Sequence, residues 1–335
     1  MNQLKFVKFL IFSMLFFSIS IPISSTASDT GFSVAAVLPE NQMDNGNSYF
    51  DLKVEAGKEQ NLQVQLINKS NEEKKISIEA NTAITNDNGI VDYQTKLSEK
   101  DSSLKVDFSD IVMVENEIIL PSNSTIFVPI TIKMPVKEFD GIILGGLYFT
   151  EKNEKINTNL KKGNQVKSQF GYVIGVKLQE TDTEVIPELK LQNISLGQRN
   201  NRNVFKINIQ NNQPAILKEA KITGEINQFG NKKVLYKETN NSLKMAPNSN
   251  FNFQIPLSNS EFKSGKYVFK GIINSQDKTW KFEKEFEVKS EQAQKLNATS
   301  VDLQNNNSMI TIYIFIILLA TMVAVFLLWF VRYRK

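Results

Sequence analysis

The 335 residues contain no histidine and no cysteine. Without histidine there can be no Ser-His-Asp or Cys-His nucleophile and no imidazole metal site. Without cysteine there is neither a disulfide framework nor thiolate chemistry. The catalytic classes left are a carboxylate pair for glycoside hydrolysis and a Ser-Lys arrangement. Glu40, Asp44, Asp51, Asp107 and Asp110 offer carboxylates, but no spacing among them singles out an acid and a nucleophile. Asn86-Asp87-Asn88-Gly89 and Asp44-Asn45-Gly46 look like fragments of a calcium loop. They lack its alternating ligands and terminal Glu, and Asn-Gly turn chemistry accounts for them. The chain is therefore expected not to be an enzyme and to use no metal, no cofactor and no nucleic acid. Arginine is scarce too, with four residues against 35 lysines.

Charge is concentrated by region. The whole chain carries +4, but residues 28–160 hold 12 basic and 21 acidic side chains and residues 161–308 hold 22 and 14. The second half would thus be drawn to anionic polymers or headgroups and the first half repelled by them. Both ends are apolar. Lys5 and Lys8 precede the run Phe9–Ile23, followed by the small residues Ser25-Thr26-Ala27, the pattern of a secretory signal peptide over residues 1–27. Met309–Val331 carries no charge and is followed by Arg332, Arg334 and Lys335. That reads as a single-pass type I transmembrane helix with a basic cytoplasmic tail, 332–335, and an extracellular chain before it. No Leu-Pro-x-Thr-Gly sorting signal precedes it, so the span itself is the expected anchor in the cell membrane.

Between the ends the period is two. Leu62, Val64 and Leu66 alternate with amides, as do Phe205, Ile207 and Ile209. Ile126, Val128, Ile130, Ile132 and Met134 share one face of a longer strand. Phe251, Phe253, Ile255 and Leu257 repeat the pattern, and Trp280, Phe282, Phe286 and Val288 close the series. Alternation bounded by Asn, Gly, Ser and Pro marks half-buried strands, and many of them in sequence argue for antiparallel sandwiches. The two halves echo one another. Leu120-Pro121-Ser122-Asn123-Ser124 resembles Met245-Ala246-Pro247-Asn248-Ser249, and Asn68 closes a strand as Asn211 does. The expected fold is all-β: two tandem immunoglobulin-like β-sandwich domains at 28–152 and 170–290. A polar hairpin tip or linker at 153–169 separates them, a flexible stalk covers 291–308, and the C-terminal transmembrane helix covers 309–331.

One segment carries binding chemistry. Pro39-Glu40-Asn41-Gln42 clusters hydrogen-bonding side chains on a rigid turn, next to the rings of Tyr49 and Phe50 and to Asp51. Amides and carboxylates pair with hydroxyls while rings stack on sugar faces, so these seven residues are the candidate ligand contacts. The order Phe32-x-Val34, Leu38-Pro39-Glu40-Asn41-Gln42, Tyr49-Phe50-Asp51-Leu52, Asn88-Gly89-Ile90-Val91-Asp92-Tyr93 and Phe139-Asp140-Gly141-Ile142-Ile143-Leu144-Gly145-Gly146 resembles the first domain of the WxL-interacting proteins. Tyr172-Val173-Ile174-Gly175-Val176-Lys177-Leu178, Met245–Ser249 and Gly265-Lys266-Tyr267 resemble their second domain. The resemblance implies a Gram-positive cell-surface protein whose first domain binds peptidoglycan and whose second binds host extracellular-matrix protein, with surface proteins carrying a Trp-x-Leu domain as partners. The chain has no Trp-x-Leu itself, since Trp280 is followed by Lys-Phe and Trp329 by Phe-Val. An adhesion or secretion scaffold with no glycan binding is the alternative function.

Overall fold

The computed structural model describes residues 31–96, 99–152, 170–276 and 278–333, with side chains of the last helix described at 301–303 and 312–326. The expected signal peptide and the 153–169 segment lie outside these residues, as do Arg334 and Lys335.

Strands dominate. In the first half, β1 (Phe32–Val37), β3 (Glu59–Asn68), β9 (Ser124–Lys133) and β7 (Val112–Met113) form one sheet in that order. The facing sheet runs β2 (Phe50–Lys53), β11 (Gly171–Gln179), β10 (Ile143–Glu151), β4 (Lys74–Thr82) and β8 (Glu117–Leu120). The alternating apolar sides meet between them: Val64 and Leu66 from one sheet, Ile76, Ile78, Phe149 and Val176 from the other, all fully buried. Each such side chain contributes about 1.5–3 kcal/mol relative to leaving it in water. β10 and β11 pair antiparallel from Ile143↔Leu178 to Thr150↔Gly171, and β11 also pairs parallel with β2. Tyr172–Leu178, read from the sequence with the second domain, therefore completes the first sandwich. Ile174, Val176 and Leu178 point into its core from opposite Leu147, Gly145 and Ile143 of β10.

The second sandwich places β12 (Leu189–Arg199), β13 (Arg202–Asn211) and β16 (Ser249–Pro256) against β15 (Val234–Met245), β14 (Leu217–Gln228), β17 (Gly265–Ser275) and β18 (Thr279–Val288). Phe205, Phe251, Phe269 and Ile222 fill its centre. The sequence echo is one corner built twice. Asn123 (φ 49°) and Asn248 (φ 47°) both take the left-handed conformation just before β9 and β16. The buried amides of Asn68 and Asn211 tie each corner down. Asn68 Nδ2 donates to the carbonyls of Glu72 (2.8 Å), Leu120 (3.2 Å) and Pro121 (2.9 Å), and Asn211 Nδ2 to those of Ala215 (2.7 Å) and Ala246 (3.1 Å).

Two expectations about the C-terminal end are corrected. The stalk expected at 291–308 is instead helical: α2 (Ser290–Thr299) is followed by α3 (Val301–Tyr333), and a one-turn helix, α1 (Phe108–Ile111), precedes β7. Ala293 and Leu296, three residues apart on one helical face, pack on the second core. Asn297 exchanges hydrogen bonds with the backbone of Phe262 at 2.9 and 3.0 Å. Among the described residues no helix is long and apolar enough to cross a membrane. The single-pass membrane anchor at 309–331, and the cell-membrane localisation drawn from it, are not supported.

Candidate functional site

The segment from Pro39 to Asp51 forms a closed turn between β1 and β2, and most of its hydrogen-bonding groups face inward. Gln42 is buried. Its Nε2 donates to the carbonyls of Asp44 and Tyr49, each at 3.0 Å, and its Oε1 accepts from the N–H of Asp51 at 3.1 Å. Asn41 Nδ2 reaches the carbonyl of Lys53 and Oε1 of Gln60, both at 2.7 Å. Phe50 lies in the first core with no exposed surface, and Asp51, also buried, has the Lys177 ammonium 3.0 Å from Oδ1. Of the seven candidate contacts, Glu40 and Tyr49 are exposed and Pro39 is half-buried. The turn brings Gln42, Tyr49 and Asp51 together through the hydrogen bonds of Gln42.

A different surface of the same sandwich is left open. The outward side of the β1–β3–β9 sheet is set by register: Ser33, Ile67 and Thr125 form one row, Ala35, Gln65 and Phe127 the next, and Val37, Gln63 and Pro129 the third. Phe127 stands at its middle with 54% of its surface exposed. Asn61 and Thr131 continue the face, joined by a 3.0 Å hydrogen bond from Thr131 Oγ1 to Asn61 Oδ1. Charge stands at the margins, with Lys69 just beyond Ile67 at one end and Lys133 and Glu59 paired at 3.1 Å at the other.

The seam between the sandwiches is built by the excursion from Ala83 to Leu104. Ala83, Leu144 and Ala246 form a small apolar cluster there with Val91, Tyr93, Ile142 and Ile216. Thr85 Oγ1 meets Ser249 Oγ at 2.6 Å and accepts from the N–H of Ala246 at 3.0 Å. The Asn86–Gly89 turn uses its carboxylate here and not for a cation. Asp87 accepts from the N–H of Asn252 (3.0 Å) and from Gln254 Nε2 (3.0 Å), and Gly89 accepts from the N–H of Lys244 at 2.8 Å. Gly89 itself sits at φ +73°, where a Cβ would stand 2.9 Å from the Leu243 side chain. Asp101 accepts from Gln210 Nε2 (2.7 Å) and Asn250 Nδ2 (2.6 Å), both from the second sandwich. Among the described residues no group of three or more Asp and Glu could hold a metal ion. Of the remaining candidate carboxylates, Asp107 and Asp110 flank the Lys100 ammonium, and Asp44 Oδ1 accepts from the N–H of Gly46 at 2.9 Å.

Family models decide what this tandem is. The peptidoglycan-binding domain of the WxL Interacting Protein matches residues 32–151, and its host-binding domain matches residues 161–298. The chain belongs to the WxL-interacting protein family. In this WxL-interacting protein the peptidoglycan-binding domain is the first sandwich, and the host-binding match, which begins at 161, takes in β11 although that strand packs in the first sandwich. Both families are described as binding domains. No curated protein sequence matches the chain. Among solved structures, the E. coli chaperone DraB is similar at 14% identity over 77% of this chain and 98% of that one, with a TM-score of 0.29. The Pseudomonas aeruginosa CupB2 chaperone aligns at 12% over 68% and 91%, with a TM-score of 0.27. The CsuC-CsuE pre-assembly complex of Acinetobacter baumannii gives 10% over 66% and 89%, with a TM-score of 0.30. These scores carry no argument about this WxL-interacting protein.

The sequence reading missed Phe127 and the two glutamines beside it. The signal was the parity of β9: with Ile126, Val128 and Ile130 inward, Phe127 has to point out, an aromatic ring on the polar side of an alternating strand. Asp101 also went unremarked. Burial alone would raise its carboxyl, but the hydrogen bonds donated by Ser103, Asn250 and Gln210 outweigh that and hold it below the ordinary value of 3.8. A folded value lowered in this way stabilises the protein above the unfolded value, and the stabilisation is lost as pH falls through the folded one. Asp101→Asn in this WxL-interacting protein should therefore unfold at a lower temperature than the parent at pH 7. The gap should narrow as pH drops below about 4. Calorimetry across that range checks it; a gap that does not change with pH would show that the carboxylate charge has no part in the seam.

Proposed function

We propose that the chain is a non-catalytic binding protein, built of immunoglobulin-like sandwiches. Its first sandwich attaches to peptidoglycan, and its second engages host matrix protein or a surface protein carrying a Trp-x-Leu domain. The observation that carries the reading is the order of the two family matches, peptidoglycan-binding over 32–151 and host-binding over 161–298, on two sandwiches joined by a hydrogen-bonded seam. The chemistry agrees with it. The chain has no histidine and no cysteine, and Asp51 and Asp107 of the first sandwich are each held against a lysine. In the second, Phe229, Val234 and Leu235 are exposed around the β14–β15 hairpin with Lys232 and Lys233 between them, an apolar tip suited to a protein partner.

The test is cosedimentation of the full chain with purified sacculi, with release of soluble sugar followed in the same tubes. The chain should move to the pellet and release nothing. A chain that stays in the supernatant overturns peptidoglycan attachment, and sacculi that dissolve overturn the non-catalytic reading.

A further inference from the structure

We infer that the outward face of the β1–β3–β9 sheet, centred on Phe127, Gln63 and Gln65, is the surface on which the first sandwich takes the neutral sugar backbone of peptidoglycan. The inference rests on the peptidoglycan reading above and says where, and to which part of the polymer, the domain binds.

Four observations converge on this face. It is uncharged over three rows of the sheet, Ser33–Ile67–Thr125, Ala35–Gln65–Phe127 and Val37–Gln63–Pro129, in a chain of which 22% of residues are charged. The carboxamides of Gln63 and Gln65 point outward and make no hydrogen bond to the protein among the described residues, unlike Asn41 and Gln42, whose amides are held within their turn. Phe127 presents its ring directly opposite Gln65 at 54% exposure, in mid-strand rather than on a loop, with its backbone held in the β3–β9 ladder. Finally, β1 is the free edge of the sheet, so the face continues without a wall past Ala35 and Val37. A flat, rigid surface of this kind suits an extended polymer better than a small molecule, which needs a concave pocket.

The chemistry selects the sugar backbone within that polymer. An N-acetylated aminosugar chain is neutral, presents C–H faces that stack on a ring, and carries hydroxyl and acetamido groups that pair with free carboxamides. The stem peptides of peptidoglycan carry carboxylates, and residues 32–151 hold 19 acidic against 10 basic side chains. That excess repels the peptides, so the uncharged face meets the uncharged part of the polymer. The surface tolerates neither partner charge nor its own: a carboxylate placed among the rows would be desolvated by a bound sugar with no cation nearby to offset it.

The experiment compares the full chain with Phe127→Ala, Gln63→Ala/Gln65→Ala and Gln65→Glu in cosedimentation with sacculi. A soluble tetramer of β-1,4-linked N-acetylglucosamine serves as competitor, and Ile272→Ala, at an exposed position of β17 in the second sandwich, as control. All are surface changes, and unfolding temperatures within a degree or two of the parent's establish that each variant folds. Phe127→Ala should weaken retention about tenfold, the worth of one aromatic contact. Gln65→Glu should weaken it at least as much, Ile272→Ala should leave it unchanged, and the tetramer should displace the parent. If the parent pellets and the three face variants pellet equally well, this face is not the contact although peptidoglycan attachment stands. If the parent pellets and only stem-peptide fragments displace it, the sugar assignment is wrong. If the parent does not pellet, both readings fall. If the face variants change the oligomeric state of the chain in place of its retention, the face belongs to a second copy and the inference is overturned.

Discussion

Replacing Asn68 by Ala should lower the stability of the first sandwich by about 2–5 kcal/mol, and replacing Asn211 should do the same to the second. Asn68 is 1% exposed, and its Nδ2 serves three backbone carbonyls of the corner that leads into β9. Its Oδ1 accepts from the N–H (3.0 Å) and the hydroxyl (2.7 Å) of Ser70. Removing the amide leaves two or more of these groups without partners, away from water, at about 1–3 kcal/mol each. Asn211, with no exposed surface, holds the equivalent corner before β16. In a sandwich of this size such a loss lowers the unfolding temperature by roughly 10 °C. The direction of donation gives a sharper test. Asn68→Asp has the same shape but at neutral pH cannot donate, and it turns a carboxylate toward three carbonyls. It should therefore destabilise at least as much as Ala. An Asp variant as stable as the parent in denaturant titration would mean that the corner does not depend on that amide.

Both corners were legible before any coordinates, because the same residue types recur at the same point of the strand pattern. The inner faces were legible for the same reason: Val64, Leu66, Ile207 and Ile209 follow the period of half-buried strands. What the sequence hides is pairing over distance. β2 is four residues long, and its parallel partner β11 lies more than 120 positions away, so no local signal assigns β11 to the first sandwich. Asp87 and Asp101 look like loop carboxylates until the second sandwich brings Asn252, Gln254, Gln210 and Asn250 to them. The Pro39–Asp51 turn hides its hydrogen-bond partners as well. Its amides are the right chemistry for a ligand, but a turn this tight has carbonyls of its own to satisfy, and Asn41 and Gln42 go to those first. Helix α2 was read as a stalk because its composition is polar, although Ala293 and Leu296 already stood at helical spacing.

Gly145→Ala is expected to cost about 2–3 kcal/mol, and Gly145→Val more, by a route that involves no hydrogen bond. Gly145 lies in mid-strand on β10, opposite Thr82 on one side and Val176 on the other, so its backbone cannot yield. A Cβ there would stand 2.0 Å from Cδ1 of Phe108, whose ring has no exposed surface. The ring in turn cannot step aside alone. It sits at the first position of α1, whose cap Asp107 accepts from the N–H of Ser109 at 2.9 Å and is bonded to Thr82 Oγ1, so moving Phe108 pulls on β4 as well. The clash predicts a coupling. Phe108→Ala alone should cost about 3–5 kcal/mol for the cavity it leaves. Added to Gly145→Ala, it should cost at least about 1 kcal/mol less than the two effects summed, because the new methyl occupies part of that cavity. Strict additivity in the double-mutant cycle would show that the ring contact is not what keeps this position glycine. The same variants separate folding from binding. Phe108 and Gly145 lie beneath the sheet opposite to the one that carries Phe127, so below its lowered unfolding temperature Gly145→Ala should still be retained by sacculi, whereas Phe127→Ala should lose retention while unfolding at the parent's temperature.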